Sequence, residues 1–222
     1  MISKSFARCL AKISGDGYLY YRYIRYRNKC PELINEFKED IIKEFGNINL
    51  TKGKTNSGTQ FIQIHGKRII GKFLEHLPDF RSNYIFVPDS IKDANLKIKK
   101  EFLRAFYDDE GSPSLRIFNK NKQWKRTLTL SSNSKRILEE IKNILFKDFG
   151  IKSNQIIVCD KTKGCFVLGI SGKENFTKFK RAIEFKHPRK IKKLGLIIQS
   201  YGNTFNRNRD GFNKIYNQLR RL

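Results

Sequence analysis

Apolar positions fall at helical spacing in two stretches of nearly equal length. Leu33, Phe37, Ile41, Ile42 and Phe45 mark one face of a helix predicted from Pro31 to Phe45, and Pro31 suits its first turn. Ile137, Leu138, Ile141, Ile144 and Leu145 mark the matching face of a second helix, from Ser134 to Phe149. A run of different period precedes each. Leu115-Arg116-Ile117 and Thr127-Leu128-Thr129-Leu130 alternate apolar with polar, and Tyr18 to Arg27 interleaves tyrosines with arginines. Such alternation belongs to half-buried strands with one polar face. Upstream of each pair of strands lies a further helix-like run, about residues 3–15 and 97–109.

The order of signals repeats. Phe45-Gly46 and Phe149-Gly150 close the two amphipathic helices 104 residues apart (149 − 45). Ile64-x-Gly66-Lys67 and Ile170-x-Gly172-Lys173 follow 106 apart (170 − 64), and each leads into a third helix, near 67–77 and 172–184, with Phe73 and Phe179 at the same place. The plan is αββαββα, twice. It predicts an α+β fold of two pseudo-symmetric halves, 1–95 and 96–195, each with an antiparallel sheet. Residues 78–96, with Pro78 and Pro88, connect the halves. From Ile191 the chain has no counterpart in the first half: a helix, a polar loop from Tyr201 to Gly211 and a short last helix make a tail, with 196–222 set apart as a helical unit.

Composition narrows the function. The chain is 39% hydrophobic, with 18 Phe and 9 Tyr, which is enough for a packed core. Its net charge is +25, spread from Lys4 to Arg221. So large an excess points to a polyanion, nucleic acid before an anionic membrane surface. No apolar run reaches the ~18 residues of a membrane span. The four cysteines form no CxxC and only three histidines could join them, which argues against zinc and for reduced thiols in an intracellular protein. No glycine-rich phosphate loop appears.

The candidate chemistry sits where the first helix of each half ends. Ala7, Ala11 and Gly15 form a small-residue stripe, and Ala105 takes the place of Ala11 in the second half. Two such helices can pack closely side by side. Each is followed by an acid and a glycine, Asp16-Gly17 and Glu110-Gly111, the acids 94 apart (110 − 16). Against the offset of 104 farther on, about ten extra residues fall between Ser112 and Lys125, a longer hairpin than the one from Tyr18 to Arg27. An anion at a helix C-terminus is unfavourable unless a cation is bound. Alone, Asp16-Gly17 reads first as a turn. Paired by the repeat, the acids suggest oxygen ligands for Mg²⁺, able to activate water against a phosphodiester. The polar strand faces supply candidate DNA contacts: Tyr20, Arg22, Arg25, Arg27, Lys52, Lys54 and Gln63 in the first half, and Arg116, Phe118, Lys120, Lys125, Thr127 and Thr129 in the second.

Cys9-Leu10-Ala11-Lys12-Ile13-Ser14-Gly15-Asp16-Gly17 and Leu103-Arg104-Ala105-Phe106-Tyr107-Asp108-Asp109-Glu110-Gly111 together resemble the two motifs of single-chain LAGLIDADG homing endonucleases, over about residues 5–195. The resemblance implies two central motif helices, with a curved sheet from each half forming a saddle over double-stranded DNA. It implies a monomer that cuts both strands across the minor groove, leaving short 3′ overhangs. Asp16 and Glu110 would hold Mg²⁺ or Mn²⁺, with the backbone carbonyls of Gly15 and Asp109 completing the shell. Asn28 and Ser132, again 104 apart (132 − 28), match a water-positioning place. Lys186 or Lys190 matches an assisting basic residue, spacing not choosing between them, and Arg81 is the weak counterpart in the first half. Lys12 stands where the family has an apolar residue, and Asp109 where it has a small one. The shorter first hairpin should reach fewer base pairs than the second. The runner-up is a maturase that binds intron RNA on the same scaffold, its nuclease weak or lost. A third reading is a DNA-binding regulator. Two filled acidic positions favour the nuclease.

Overall fold

Ser3 starts the first helix. Its Oγ accepts from the Phe6 N–H at 3.0 Å, and α1 runs Lys4–Ser14 until the Gly15 N–H closes on the Ala11 carbonyl. In the computed structural model, residues 2–222 are described except Tyr21, Phe80, 119–122, Lys161 and Lys163; Lys120 thus lies outside the described residues. After α1 come β1 (Gly17–Tyr20), β2 (Tyr23–Asn28), α2 (Pro31–Phe45), β3 (Leu50–Lys54), β4 (Gln60–His65) and α3 (Lys67–Leu74). The connector carries a helical turn that the sequence pattern did not announce, α4 (Asp89–Lys92). The plan then repeats as α5 (Leu96–Glu110), β5 (Gly111–Phe118), β6 (Gln123–Ser132), α6 (Lys135–Phe149), β7 (Ile157–Asp160), β8 (Cys165–Ile170) and α7 (Lys173–Ala182). Both sheets are antiparallel and share one order, β1-β2-β4-β3 and β5-β6-β8-β7. The expected α+β plan of two αββαββα halves is the observed one.

The motif helices form the centre. Ala7, Ala11 and Ala105 are fully buried, so α1 and α5 approach through small side chains. A Cβ on Gly15 would lie 3.0 Å from the Asp109 Cβ, which shows how tightly the helix ends abut. Phe102 and Phe106 on α5, and Leu10 and Phe6 on α1, fill the flanking core, each contributing about 2 kcal/mol by burial. A ring of charges girdles the same interface. Arg8 pairs with Asp40 and with Glu101 at 2.9 Å, and Arg104 pairs with Glu36 at 2.7 Å and Asp108 at 3.1 Å.

The expected longer hairpin is present. β5 and β6 hold 8 and 10 residues, against 4 and 6 in β1 and β2. The tail explains how its length is covered. α8 (Pro188–Gln199), which runs through the 195/196 division drawn from sequence, and α9 (Arg209–Arg220) carry a segment that packs under it. Trp124 donates to the Asn203 carbonyl at 2.9 Å, and its ring lies 4.6 Å from Phe212. Arg126 donates to Ser200 Oγ and stacks on Tyr201 at 4.2 Å. Leu115 pairs with Arg126 and Ile117 with Trp124, so these contacts lie on the hairpin's inner face. The added strand length and the added tail are one structural unit.

Candidate active site

Each acidic residue follows its helix by a different step. α5 continues through Glu110 and stops against Gly111, whereas α1 stops at Ser14, leaving Asp16 just past the Gly15 cap. Both glycines are required by close passage, not by unusual dihedrals. A Cβ on Gly17 would fall 2.3 Å from the Ile13 Cα, and one on Gly111 would fall 2.5 Å from the Tyr107 carbonyl oxygen. The strand that follows therefore leaves directly across the last helical turn, and this crossing sets each acid at the helix end.

Three acids share that end. Burial raises Asp16 above the ordinary carboxylate range, with Lys190, Arg27 and Asn28 opposing it. Burial, and then the charge of Asp16, push Glu110 up to about 7. Burial lifts Asp109 well above its usual value, against the pull of Lys12. Its Oδ1 accepts from the Tyr26 hydroxyl at 2.7 Å and from Asn28 Nδ2 at 3.1 Å. The same Asn28 Nδ2 donates to Asp16 Oδ2 at 2.8 Å.

The structure separates the two lysines that sequence spacing left equal. Lys190 Nζ donates to the carbonyls of Tyr107, Asp108 and Asp109, the last at 3.2 Å, capping the negative end of α5. Burial lowers Lys190 from the ordinary lysine range, while the surrounding acids pull it back up. The Lys186 side chain is exposed, and its backbone N–H donates to Asp108 at 2.9 Å. Asp108 also accepts the His187 N–H, so this buried acid holds the start of α8 and thereby aims Lys190. Ser132 is turned to the Ser134 N–H at 3.1 Å. Arg81 is paired with Asp79 on the surface.

A cleft of about 470 Å³ opens beside these groups, lined by Asp16, Arg27, Asn28, Asp109, His187 and Lys190 together with Thr55, Ser57 and Thr59 of the β3–β4 turn. Sequence reasoning missed that turn and Tyr26. Alternation along β2 puts Ile24, Tyr26 and Asn28 on one face, so Tyr26 was within reach of that pattern.

Strand register sorts the candidate DNA contacts. Tyr18 pairs with Arg25, Arg25 with Gln63, Tyr20 with Tyr23, and Arg27 with Phe61, which places these residues together on the open face of the first sheet. Arg25 lies 4.8 Å over the Phe61 ring and donates to Gln63 Oε1 at 2.8 Å. Arg22 is exposed in the β1–β2 turn. Lys52 pairs with Ile62 and Lys54 with Gln60, so both lie on the opposite face, beside Ile34 and Lys38 of α2. Their placement with the polar face is corrected: period-2 alternation puts Lys52 and Lys54 on the same face as Leu50, which packs on the core. In the second sheet Arg116 pairs with Lys125, Phe118 with Gln123, and Thr127 and Thr129 with Ser114 and Ser112, all on the open face.

Residues 97–184 match the model of the LAGLIDADG-like domain. The solved homing endonuclease I-DmoI in complex with DNA and Ca matches with a TM-score of 0.63 at 18% identity, covering 86% of this chain and 97% of that one. The chain has the two-domain LAGLIDADG fold. I-WcaI bound to its DNA recognition sequence matches at 0.57, with 16% identity over 86% of this chain and 87% of its own. The N-terminal LAGLIDADG domain of DUF199/WhiA matches at 0.53, with 14% identity over 81% and 80%. No curated protein matches the chain. The single-chain, two-motif LAGLIDADG resemblance therefore extends over both halves as fold, and the second motif falls inside the matched domain.

The burial of Glu110 carries a consequence for stability. Glu110 holds its proton more tightly folded than unfolded. In chelator-treated protein its contribution is therefore full below pH ~4.5 and declines as pH rises to about 7, by roughly 3 kcal/mol. Glu110→Gln should remove most of that decline. Urea midpoints at pH 5 and pH 8 check it: the wild type should lose more than the variant, and equal losses would contradict the assignment.

Proposed function

We propose that the chain is a site-specific homing endonuclease that makes a metal-dependent double-strand break with short 3′ overhangs. The observation that carries the reading is the meeting of Asp16 and Glu110, equivalent residues of two halves, at one end of the packed motif helices. Their environment suits a divalent cation. Both acids are raised by burial, their charges repel, and the donors present are hard oxygens. Among the described residues no group of three or more His, Cys, Asp or Glu side chains is arranged to hold a metal ion. The site is thus two carboxylates, with the backbone carbonyls of Gly15 and Asp109 as further candidates. A cation bound there, Mg²⁺ or Mn²⁺, supplies a water of lowered pKa and charge stabilisation at the phosphodiester.

The chain's own residues do the rest. Asn28 holds Asp16 Oδ2 by donating its amide N–H to it. Lys190, lowered by burial, brings positive charge to both acids and stands ready to stabilise an anionic phosphate. The open sheet faces, rich in Arg, Lys, Gln and Tyr, would follow the duplex on either side. The longer second face should read more base pairs. One acid from each half suits one cut in each strand. I-DmoI has been solved with DNA and Mn, and a variant with Mg, which supports the same reading.

Cleavage selection on a randomised duplex library with Mg²⁺ tests the proposal. One cut sequence with 3′ extensions should emerge, with more specified positions on the side of the second sheet. No cutting, together with tight binding to a structured intron RNA, would favour the maturase reading instead. Equal specification on both sides would remove the claim of asymmetry.

A further inference from the structure

Asn28 and Ser132 occupy equivalent places and make the same local turn. Asn28 Oδ1 accepts the Cys30 N–H at 2.9 Å, and Ser132 Oγ accepts the Ser134 N–H at 3.1 Å. Asparagine has a second arm that serine lacks. That arm, Nδ2, bridges Asp16 Oδ2 at 2.8 Å and Asp109 Oδ1 at 3.1 Å. Asp109 comes from the other half's motif helix, so the bridge crosses the centre of the molecule.

The seat of Asp109 is built for it. Tyr26 donates its hydroxyl to the same Oδ1 at 2.7 Å. The place of a Gly15 Cβ is 3.0 Å from the Asp109 Cβ and 3.3 Å from its Oδ2, so the glycine leaves the room that the carboxylate fills. Lys12, fully buried 3.2 Å from Glu36 and 5.0 Å over the Tyr26 ring, places positive charge beneath it. The two departures from the motif pattern, Lys12 and Asp109, thus compensate each other. The repeat gives Asp109 Gly15 as its counterpart, and glycine offers no side chain to Ser132.

We propose that Asp109 is a positioning residue: it holds the Asn28 amide against Asp16 and so gives the first-half centre an anchored polar group that the second-half centre lacks. The inference rests on the nuclease reading. An unanchored Asn28 amide can rotate away from Asp16, whereas its Oδ1 stays tied to Cys30.

Asp109→Ser, Asp109→Asn and Asn28→Ser test it, with two readouts. In single-turnover cleavage of an end-labelled duplex with Mg²⁺, Asp109→Ser and Asn28→Ser should each slow one and the same strand by about tenfold and spare the other. Asp109→Asn, which keeps an oxygen for Tyr26 and Asn28, should restore that strand to within about threefold of wild type. In chelator-treated ¹⁵N-labelled protein, the Asn28 side-chain amide signals should move to the solvent-exposed position in Asp109→Ser while the Cys30 N–H stays unchanged. Equal slowing of both strands, no slowing, or an unmoved Asn28 amide overturns the inference. A wild type that cuts neither strand overturns the nuclease reading itself, and the amide signals still decide whether Asp109 holds Asn28.

Discussion

Glu110→Gln and Asp16→Asn are each expected to lower cutting by about a thousandfold or more while leaving duplex binding nearly intact. The substitutions keep size and hydrogen bonding but remove the carboxylate charge that a divalent cation needs. On the proposed reading, binding would rest elsewhere, on the open faces carrying Arg25, Arg27, Gln63, Arg116 and Lys125, and on a charge of +25 that one neutralised acid raises slightly. Loss of cutting could otherwise be blamed on unfolding. Here the opposite change is expected for Glu110→Gln: its carboxylate is raised to about 7 by burial and by Asp16, so the neutral amide should be the more stable near pH 8. Gel-shift affinity, Mg²⁺ cleavage and a urea midpoint on the same preparation separate these effects. Cutting that survives both substitutions would remove Asp16 and Glu110 from the site.

Gly111→Ala should cost about 3 kcal/mol or more of folding stability, and Gly17→Ala a similar amount. The physical cause is backbone against backbone. The new methyl of Gly111→Ala meets the Tyr107 carbonyl oxygen at 2.5 Å, and that of Gly17→Ala meets the Ile13 Cα at 2.3 Å. A flexible side chain could swing aside, but the last turn of a buried helix cannot. Gly71→Ala in α3 is the control, since nothing lies within 4 Å of its new methyl and alanine favours the helix, a gain of up to about 1 kcal/mol. Chemical denaturation of the three variants gives the comparison. Equal midpoints for Gly111→Ala and Gly71→Ala would show that the helix end can give way.

The repeated plan was legible because its punctuation is local. Phe45-Gly46 and Phe149-Gly150 end helices, and apolar period distinguishes strand from helix. The hairpin difference was legible too, since an insertion shifts an offset without needing a structure. The site was less so. That Lys190 turns to the end of α5 while Lys186 faces solvent depends on Asp108 gripping the backbone at Lys186 and His187, a contact across 78 and 79 residues of chain that no local pattern carries. Lys52 and Lys54 misled because basic residues on an edge strand look alike from either face, and the pairing of Leu50 with Ile64 settles which face is which. The cover that the tail lends to Trp124 and Arg126 joins two segments whose composition does not mark them as partners.

Asp109 resting in the hollow left by Gly15 also decides which copies can meet. A second half turned against its own twin would bring two Asp109 side chains into a space sized for one, with no Lys12 from the opposite helix to neutralise them. A first half turned against its twin would leave the hollow empty on both sides and bury two Lys12 without Asp109. Heterotypic pairing is therefore favoured by shape and charge at a single contact. The two halves expressed as separate chains should find each other and not themselves, which size-exclusion chromatography of mixed and unmixed samples would show. Joining them in one polypeptide secures a handshake that neither hand can make alone.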